Sequence, residues 1–417
     1  MSLRSTFAAV FLVLLSASFA HAFTLNDCLV VAARKDPALA AMERRVASAG
    51  LTQTKDLRSL LPSLSLGDEA SYSAFKEDAG LANGMDNKAN ADLEWDLQRM
   101  LSAPQKQSEL SRLRAAKVLK QAQTQLRLDV TRAFDHCRVA SVRAAEFLKA
   151  VEFVDGHIHD IQRLQGMGMD VALDLLRAQS QRKSLDLAMN GNDAQLQDAL
   201  STLRLETGLD VSAKDFDAAL AISLSEAPVA QDIESRLAQR LSGVAAAQLA
   251  DLDLKSARLA YDASGFFSAP LVHVGLDHSF QAADPATPVD RAYGSLSLPV
   301  WDWGQRGLDS DRLKADLEAQ GLDHEAQMRD LRLQAEQLAS GLAHARNAYT
   351  ISAAMVEDAA KGLGIAKTYY KQGKVKETDL LSVFSDYLGA QGQFSDALLD
   401  CLDKQAAWDA FWDGSQP

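Results

Sequence analysis

GMGMDVALDLLRAQ at 166–179 and GKVKETDLLSVFSD at 373–386 share one phrase: a glycine, five residues, then Asp-Leu-Leu. Glycine tolerates the left-handed backbone that ends a helix, and a carboxylate a few residues on suits the positive end of the next one. Each phrase therefore reads as a turn between two helices, marked by Gly166 and Gly168 in the first case and by Gln372-Gly373 in the second. Proline, which cannot sit inside a helix without losing a hydrogen bond, is absent for a long way on either side of both turns. The nine prolines stand at 37, 62, 104, 228, 270, 285, 288, 299 and 417, leaving 105–227 and 300–416 free. Each window can hold a long helical hairpin.

The first window carries an apolar stripe from Leu119 through Leu126, Val130, Ala133, Cys137 and Ala140 to Val154. Its steps alternate mostly between three and four, which makes a seam of the coiled-coil kind, and its many alanines imply closely spaced helices. A helix over 104–165 would extend about 90 Å at 1.5 Å per residue, far beyond the ordinary globular range.

Elsewhere the period drops to two. Leu64, Leu66, Ala70, Tyr72 and Ala74 alternate with serines and Glu69, and Ala91, Leu93, Trp95 and Leu97 alternate with Asn90, Asp92, Glu94 and Asp96. Val272, Val274 and Leu276 alternate with His273, Gly275 and Asp277, and Leu296 and Leu298 with Ser295 and Ser297. We read four strands of roughly ten residues in two hairpins, with tips near 76–89 and 281–291. Such strands suit a half-buried sheet. They also have the length of a membrane barrel strand, with Trp95, Trp301 and Trp303 at strand ends where interfacial aromatics sit. Four strands cannot close a barrel alone, so a barrel here would be shared among subunits.

Pro62-x-Leu64-x-Leu66-Gly67 matches Pro270-x-Val272-x-Val274-Gly275, Trp95-Asp96 matches Trp301-Asp302, and the two turn phrases match each other, all at offsets of about 205 to 208 residues. The chain thus reads as a duplicated unit. A first repeat covers 23–207, with a hairpin about 62–97 and a long helix about 104–165. A joining segment, 208–230, leads to a second repeat over 231–417, with a hairpin about 270–302 and a long helix about 305–370.

Residues 1–22 have Arg4, an apolar run from Phe7 to Leu15 and Ala20-His21-Ala22, the pattern of a secretory signal peptide ending before Phe23. Cys28 follows Asn26-Asp27 rather than a small-residue box, which disfavours lipidation. Beyond residue 22 no run approaches the ~18 apolar residues of a membrane helix. The formal charge of −13 becomes −14 without Arg4, which disfavours a nucleic-acid partner. The 8 histidines are scattered and Cys28, Cys137 and Cys401 fall in no metal or redox spacing, so no catalytic, cofactor or metal site is read and an exported hydrolase has little behind it. The cysteines read best as small apolar residues on buried helix faces.

In the order of its elements the chain resembles the TolC family of outer-membrane efflux and secretion channels. The resemblance is carried by Thr24-Leu-Asn-Asp27-x-Leu29 with Asp36-Pro37, by Ser297-Leu-Pro-Val-Trp-Asp-Trp-Gly304, and by Tyr370-x-x-Gly373-x5-Asp379-Leu-Leu. Thr24 and Asp27 also fit a capping box. The resemblance implies a mainly helical protein whose long hairpins form a periplasmic α-barrel. Four strands per protomer would contribute to a twelve-stranded barrel of a homotrimer set in outer-membrane lipid. It implies a non-enzymatic exit duct served by a periplasmic adaptor and an inner-membrane transporter of RND, ABC or MFS type, in tripartite efflux or type I secretion. It also implies that Tyr370 pairs with Asp174 at a closed gate, that Asp379 faces the pore, and that the turns at Gly166, Gly168, Gly373 and Lys374 meet the adaptor. Ser382 and Val375 stand where the family has a second acidic ring and a basic gate residue, so the constriction is expected to be less negative and the gate held differently, with Lys374 or Lys376 as candidates. Simple capping of a helix N-terminus suits Asp174 as well as the gate pairing does, whereas pore lining is the favoured reading of Asp379. The other reading of the whole chain is a periplasmic coiled-coil scaffold whose strands form a small soluble sheet.

Overall fold

The computed structural model describes residues 24–77, 80–96, 104–212, 216, 234–235, 237, 239–264, 271–281, 289–297 and 303–413. The leader 1–22, most of the joining segment 208–230, the apex of each strand hairpin and Trp301 lie outside these residues. The described elements, in order, are α1 (Leu25–Lys35), α2 (Pro37–Arg58), β1 (Ser63–Glu77), β2 (Gly80–Asp96), α3 (Pro104–Gly166), α4 (Ala172–Thr207), α5 (Ala245–Ser264), β3 (Leu271–Gln281), β4 (Val289–Ser297), α6 (Gln305–Lys371) and α7 (Glu377–Asp413). The chain divides into two compact units that do not follow the halves of the sequence. One takes its described residues from Met1–Pro37, Gln123–Arg236 and Ala335–Asp413, the other from Ala38–Ala122 and Leu237–Gln334.

The first unit is helical. Thr24 opens α1 with the reciprocal box its spacing implied: the Asp27 amide donates to Thr24 Oγ1 at 3.3 Å and the Thr24 amide to Asp27 Oδ2 at 3.2 Å. The stripe read from the sequence becomes the packing seam of α3. Val130, Ala133 and Cys137 bury against Cys28 and Ala32 of α1 and Leu196 and Leu200 of α4. Lower on the same seam, Ala150 and Val154 bury against Leu363 and Ala366 of α6 and Leu380 and Phe384 of α7. Alanine at so many seam positions leaves room for backbones to come close, and Asn192 uses it, donating from α4 to the Ala140 carbonyl at 3.1 Å. Ion pairs join α3 and α7 at the margins, among them Arg127 with Asp413 at 3.1 Å and His136 with Asp403 at 3.2 Å. All three cysteines are buried free thiols.

Both interhelical turns are built by the same backbone device. Gly168 has φ +88 and Gly373 φ +67. The Met169 amide reaches back to the Leu164 carbonyl at 3.2 Å and the Lys374 amide to the Tyr369 carbonyl at 2.9 Å, with shorter loops from Gly168 to Gln165 and from Gly373 to Tyr370. This is the Schellman arrangement, which satisfies the last carbonyls of a helix and requires a left-handed residue.

The second unit contains the sheet, whose strand order is β1-β2-β3-β4 with every neighbouring pair antiparallel. The first hairpin differs from expectation. Its register runs unbroken from Ser63↔Glu94 to Glu77↔Gly80, so strand occupies most of 76–89, where a polar tip was read, and the two strands have 15 and 17 residues rather than roughly ten. The Gly, Asn and Asp of 80–90 have poor strand propensity. Once two strands are aligned, however, each further pair satisfies backbone groups with no new closure to make, and pairing overrides propensity. The second hairpin, at 11 and 9 residues, keeps the expected length.

Pairing puts Leu64 opposite Leu93, Leu93 opposite Leu276, and Leu276 opposite Ala292 in one row across all four strands. That face is open: Leu64, Leu66, Val274, Leu276 and Leu296 are all exposed, Leu66 at 80%. On the other face Tyr293 lies over Gly275, where an added Cβ would stand 2.4 Å from the tyrosine Cζ. In the same unit α3 is tied to α5 by Arg114, whose Nε donates to Asp253 at 2.6 Å. Among the described residues no helix is long and apolar enough to cross a membrane.

Because an alanine Cβ resists the left-handed conformation that both turns require, Gly168→Ala and Gly373→Ala should each lower stability by about 1 kcal/mol. Thermal or urea unfolding followed by circular dichroism checks this. Gly166→Ala, at the helical end of α3, should cost nothing comparable.

Candidate functional site

The residues singled out at the two turns come together in the first unit. Gly166, Gly168, Gly373 and Lys374 are exposed. Lys374 holds its ammonium 5.6 Å from the centre of the Tyr369 ring. Val375 is half-buried, whereas Asp379 and Ser382 are exposed, three residues apart on α7, and so share a side of that helix. Neither aspartate is an N-cap. Val171 occupies that position in α4 without a side-chain bond, and Asp174 lies inside the first turn, where it meets Arg177 at 3.5 Å. Asp379 lies in the first turn of α7 and accepts from the Thr378 hydroxyl at 3.3 Å. A carboxylate in a first turn still gains from the helix dipole, so the local sequence logic stands although the capping geometry differs.

The most enclosed polar group at the turns is one the sequence reading passed over. His157 Nε2 lies 2.6 Å from both carboxylate oxygens of Glu377, with the two side chains only 6% and 3% exposed. A carboxylate oxygen only accepts, so Nε2 carries the hydrogen. The Tyr370 ring lies beside the pair, near enough for Glu377 to act on its phenol. Aromatic rings wall the group: Phe153 stacks on His157 with planes 10° apart, Tyr370 meets the imidazole edge-on at 5.1 Å, and Phe384 packs against Phe153 at 4.8 Å. Lys367 sits 3.9 Å over the Phe153 ring, its pKa lowered by burial and by Lys371.

The Tyr370 phenol is pushed up to about 12, by burial first and then by its nearness to Glu377, with Asp174 and Asp160 adding smaller repulsions. Asp174 itself pairs with Arg177. A signal for His157 was present: the seam steps 150, 154, 157, 161, which places a histidine between buried Val154 and Ile161. A polar ring at a seam position needs a partner, but nothing local names one 220 residues away. Of the interfacial tryptophans, Trp95 pairs by backbone with Val274, and Trp303 is 82% exposed with a left-handed φ of +57. Among the described residues no group of three or more His, Cys, Asp or Glu is placed to hold a metal.

No protein-family model matches the chain, and no curated protein matches it in sequence. Solved structures do. A membrane protein from Pseudomonas aeruginosa superposes with a TM-score of 0.80 at 16% identity, covering 94% of this chain and 91% of its own. The open-state MtrE outer membrane channel of Neisseria gonorrhoeae gives 0.79 at 15%, covering 94% and 89%. The CmeC outer membrane channel of Campylobacter jejuni gives 0.77 at 15%, covering 94% and 86%. At these identities the likeness is one of fold, and the fold is that of the TolC-family outer-membrane channels.

The raised phenol of Tyr370 has a pH signature. A pKa lifted in the folded state from 10.0 to about 12 stabilises the fold fully below pH 10, and that stabilisation is lost as the pH rises through 12. The melting temperature of the intact protein should therefore fall more steeply across that window than that of Tyr370→Phe. Parallel falls would remove this account of the phenol.

Proposed function

We propose that the chain is a member of the TolC family and works as a homotrimeric exit duct in the outer membrane, extending into the periplasm. One observation carries the reading: among the described residues β1 and β4 are the outer strands of a four-stranded sheet, and Leu64, Leu66, Leu276 and Leu296 on one of its faces are exposed. An outer strand can continue its ladder with another chain, and exposed apolar side chains of this kind mark an interaction surface. In hydrocarbon every backbone group must be paired, which a sheet achieves only by closing on itself. Three copies, each joining its β4 to the next copy's β1, close a barrel of about twelve strands within the known range. The face with Leu64, Leu66, Leu276 and Leu296 then meets lipid, and the face with Ser63, Ser65 and Ser295 lines water. Trp303, with Trp95 and Trp301, supplies interfacial anchors. The first hairpin is longer than the ~9–11 residues a crossing needs and projects beyond the bilayer.

The duct performs no chemistry. A periplasmic adaptor and an inner-membrane transporter of RND, ABC or MFS type supply energy and choose the cargo, in tripartite efflux or in type I secretion. The turns at Gly166, Gly168, Gly373 and Lys374 form the adaptor contact, and exposed Met167, Met169, Leu173 and Leu176 beside them support that assignment. Asp174, Tyr370, Val375, Asp379 and Ser382 border the closed periplasmic gate. The duplicated order of elements, helix, hairpin, long helix and returning helix, supplies two similar wall segments per subunit.

Membrane fractionation and mass measurement test the duct. The full chain is expected in the outer-membrane fraction and, once extracted in detergent, at the mass of a trimer. A buffer-soluble monomer would favour the scaffold reading instead. In planar bilayers, Asp379→Asn should weaken block of the current by multivalent cations on the order of tenfold, because a ring of three converging carboxylates is lost.

A further inference from the structure

We infer that the gate of this duct is held shut by a buried latch, in which one carboxylate, Glu377, fastens α7 to α3 through His157. The inference rests on the exit-duct reading and concerns how that duct is regulated. His157 belongs to α3 of the first helical hairpin, and Glu377 is the first residue of α7 in the second. The carboxylate receives the Nε2 hydrogen of His157 at 2.6 Å from each oxygen, with both side chains buried. Tyr370, in the last turn of α6, closes the group edge-on against the imidazole at 5.1 Å. At the first position of α7 the carboxylate also faces the unpaired amides and positive dipole end of that helix.

Parting the second hairpin from the first at the turns must pull Glu377 from His157. Doing so strands a charge among Phe153, Phe384 and Tyr370 until water enters, and an unpaired buried charge is among the most destabilising of single changes. The charged groups around the latch do not offer a replacement. Asp160 and Asp174 are held by Arg163 and Arg177 and repel a carboxylate, while Lys367 rests on the face of Phe153. The latch is therefore bistable: fully made and dry, or open and wetted.

Single-channel recording of the full-length trimer in planar bilayers tests the latch. Glu377→Gln keeps the size of the side chain and removes its charge; it should raise open probability on the order of tenfold, and His157→Gln should raise it to a similar degree. Combining the two should give no further rise, because both break the same bond. Wild-type channels that conduct, with Glu377→Gln and His157→Gln traces matching them, overturn the latch and leave the duct standing. A trimer in which neither wild type nor variants conduct overturns the duct and the latch together. If Glu377→Gln does not assemble, His157→Gln alone decides: an unchanged open probability rejects the latch.

Discussion

The place of β1 and β4 at the two ends of the sheet constrains the rest of this molecule. Four strands hydrogen-bonded in sequence order satisfy their inner edges and leave two outer ones, to which no further described strand is added. The side-chain pattern compounds the constraint, because the row Leu64, Leu93, Leu276, Ala292 crosses the whole sheet and ends at both outer strands. This sheet offers two features that lipid and self-association jointly reward, an apolar row that crosses all four strands and outer strands able to continue the ladder. The proposed trimer follows from those two features taken together, since either one alone has other solutions.

The helical unit solves a different problem, that of holding long helices side by side without filling the space between them. Alanine does this along α3, where Ala133, Ala140 and Ala150 keep neighbours close. Close approach brings polar groups on different helices within hydrogen-bond reach. Asn192 reaching the Ala140 carbonyl is one case and His157 on Glu377 is another. Both are on helix faces otherwise lined by apolar side chains, and both join segments distant in sequence. Such contacts add less to stability than apolar packing would, but they specify which helix lies against which and in what register.

What the sequence made legible is what local physics dictates. The proline-free windows locate α3 and α6 because a proline in either would break the hydrogen-bond ladder, and Gly168 and Gly373 mark the turns because only glycine adopts φ near +88 and +67 without strain. Thr24 with Asp27 gave the start of α1 for the same reason. Legibility failed where long-range pairing overrode local preference. Residues 80–90 look like a polar tip and are strand, because the register set by Ser63↔Glu94 continues through them. It failed again near the turns, where the partner of His157 lies 220 residues away and the rotation of α7 about its axis decides which carboxylate meets the imidazole.

That rotation has a traceable origin. Leu380, Leu381 and Phe384 are buried, so the apolar face of α7 fixes which side of its first turn points inward. Counting back from Leu380 by three, or from Leu381 and Phe384 by four and seven, arrives at position 377, so Glu377 is on the buried side while Asp379, two positions on, faces outward and stays exposed. One helix phase thus separates two carboxylates that look interchangeable in the sequence: the exposed one free to face solvent or a pore, the buried one obliged to find donors. Histidine at the seam position of α3 supplies the donor. The division of roles between Glu377 and Asp379 is therefore set by apolar packing, before any electrostatic interaction is considered.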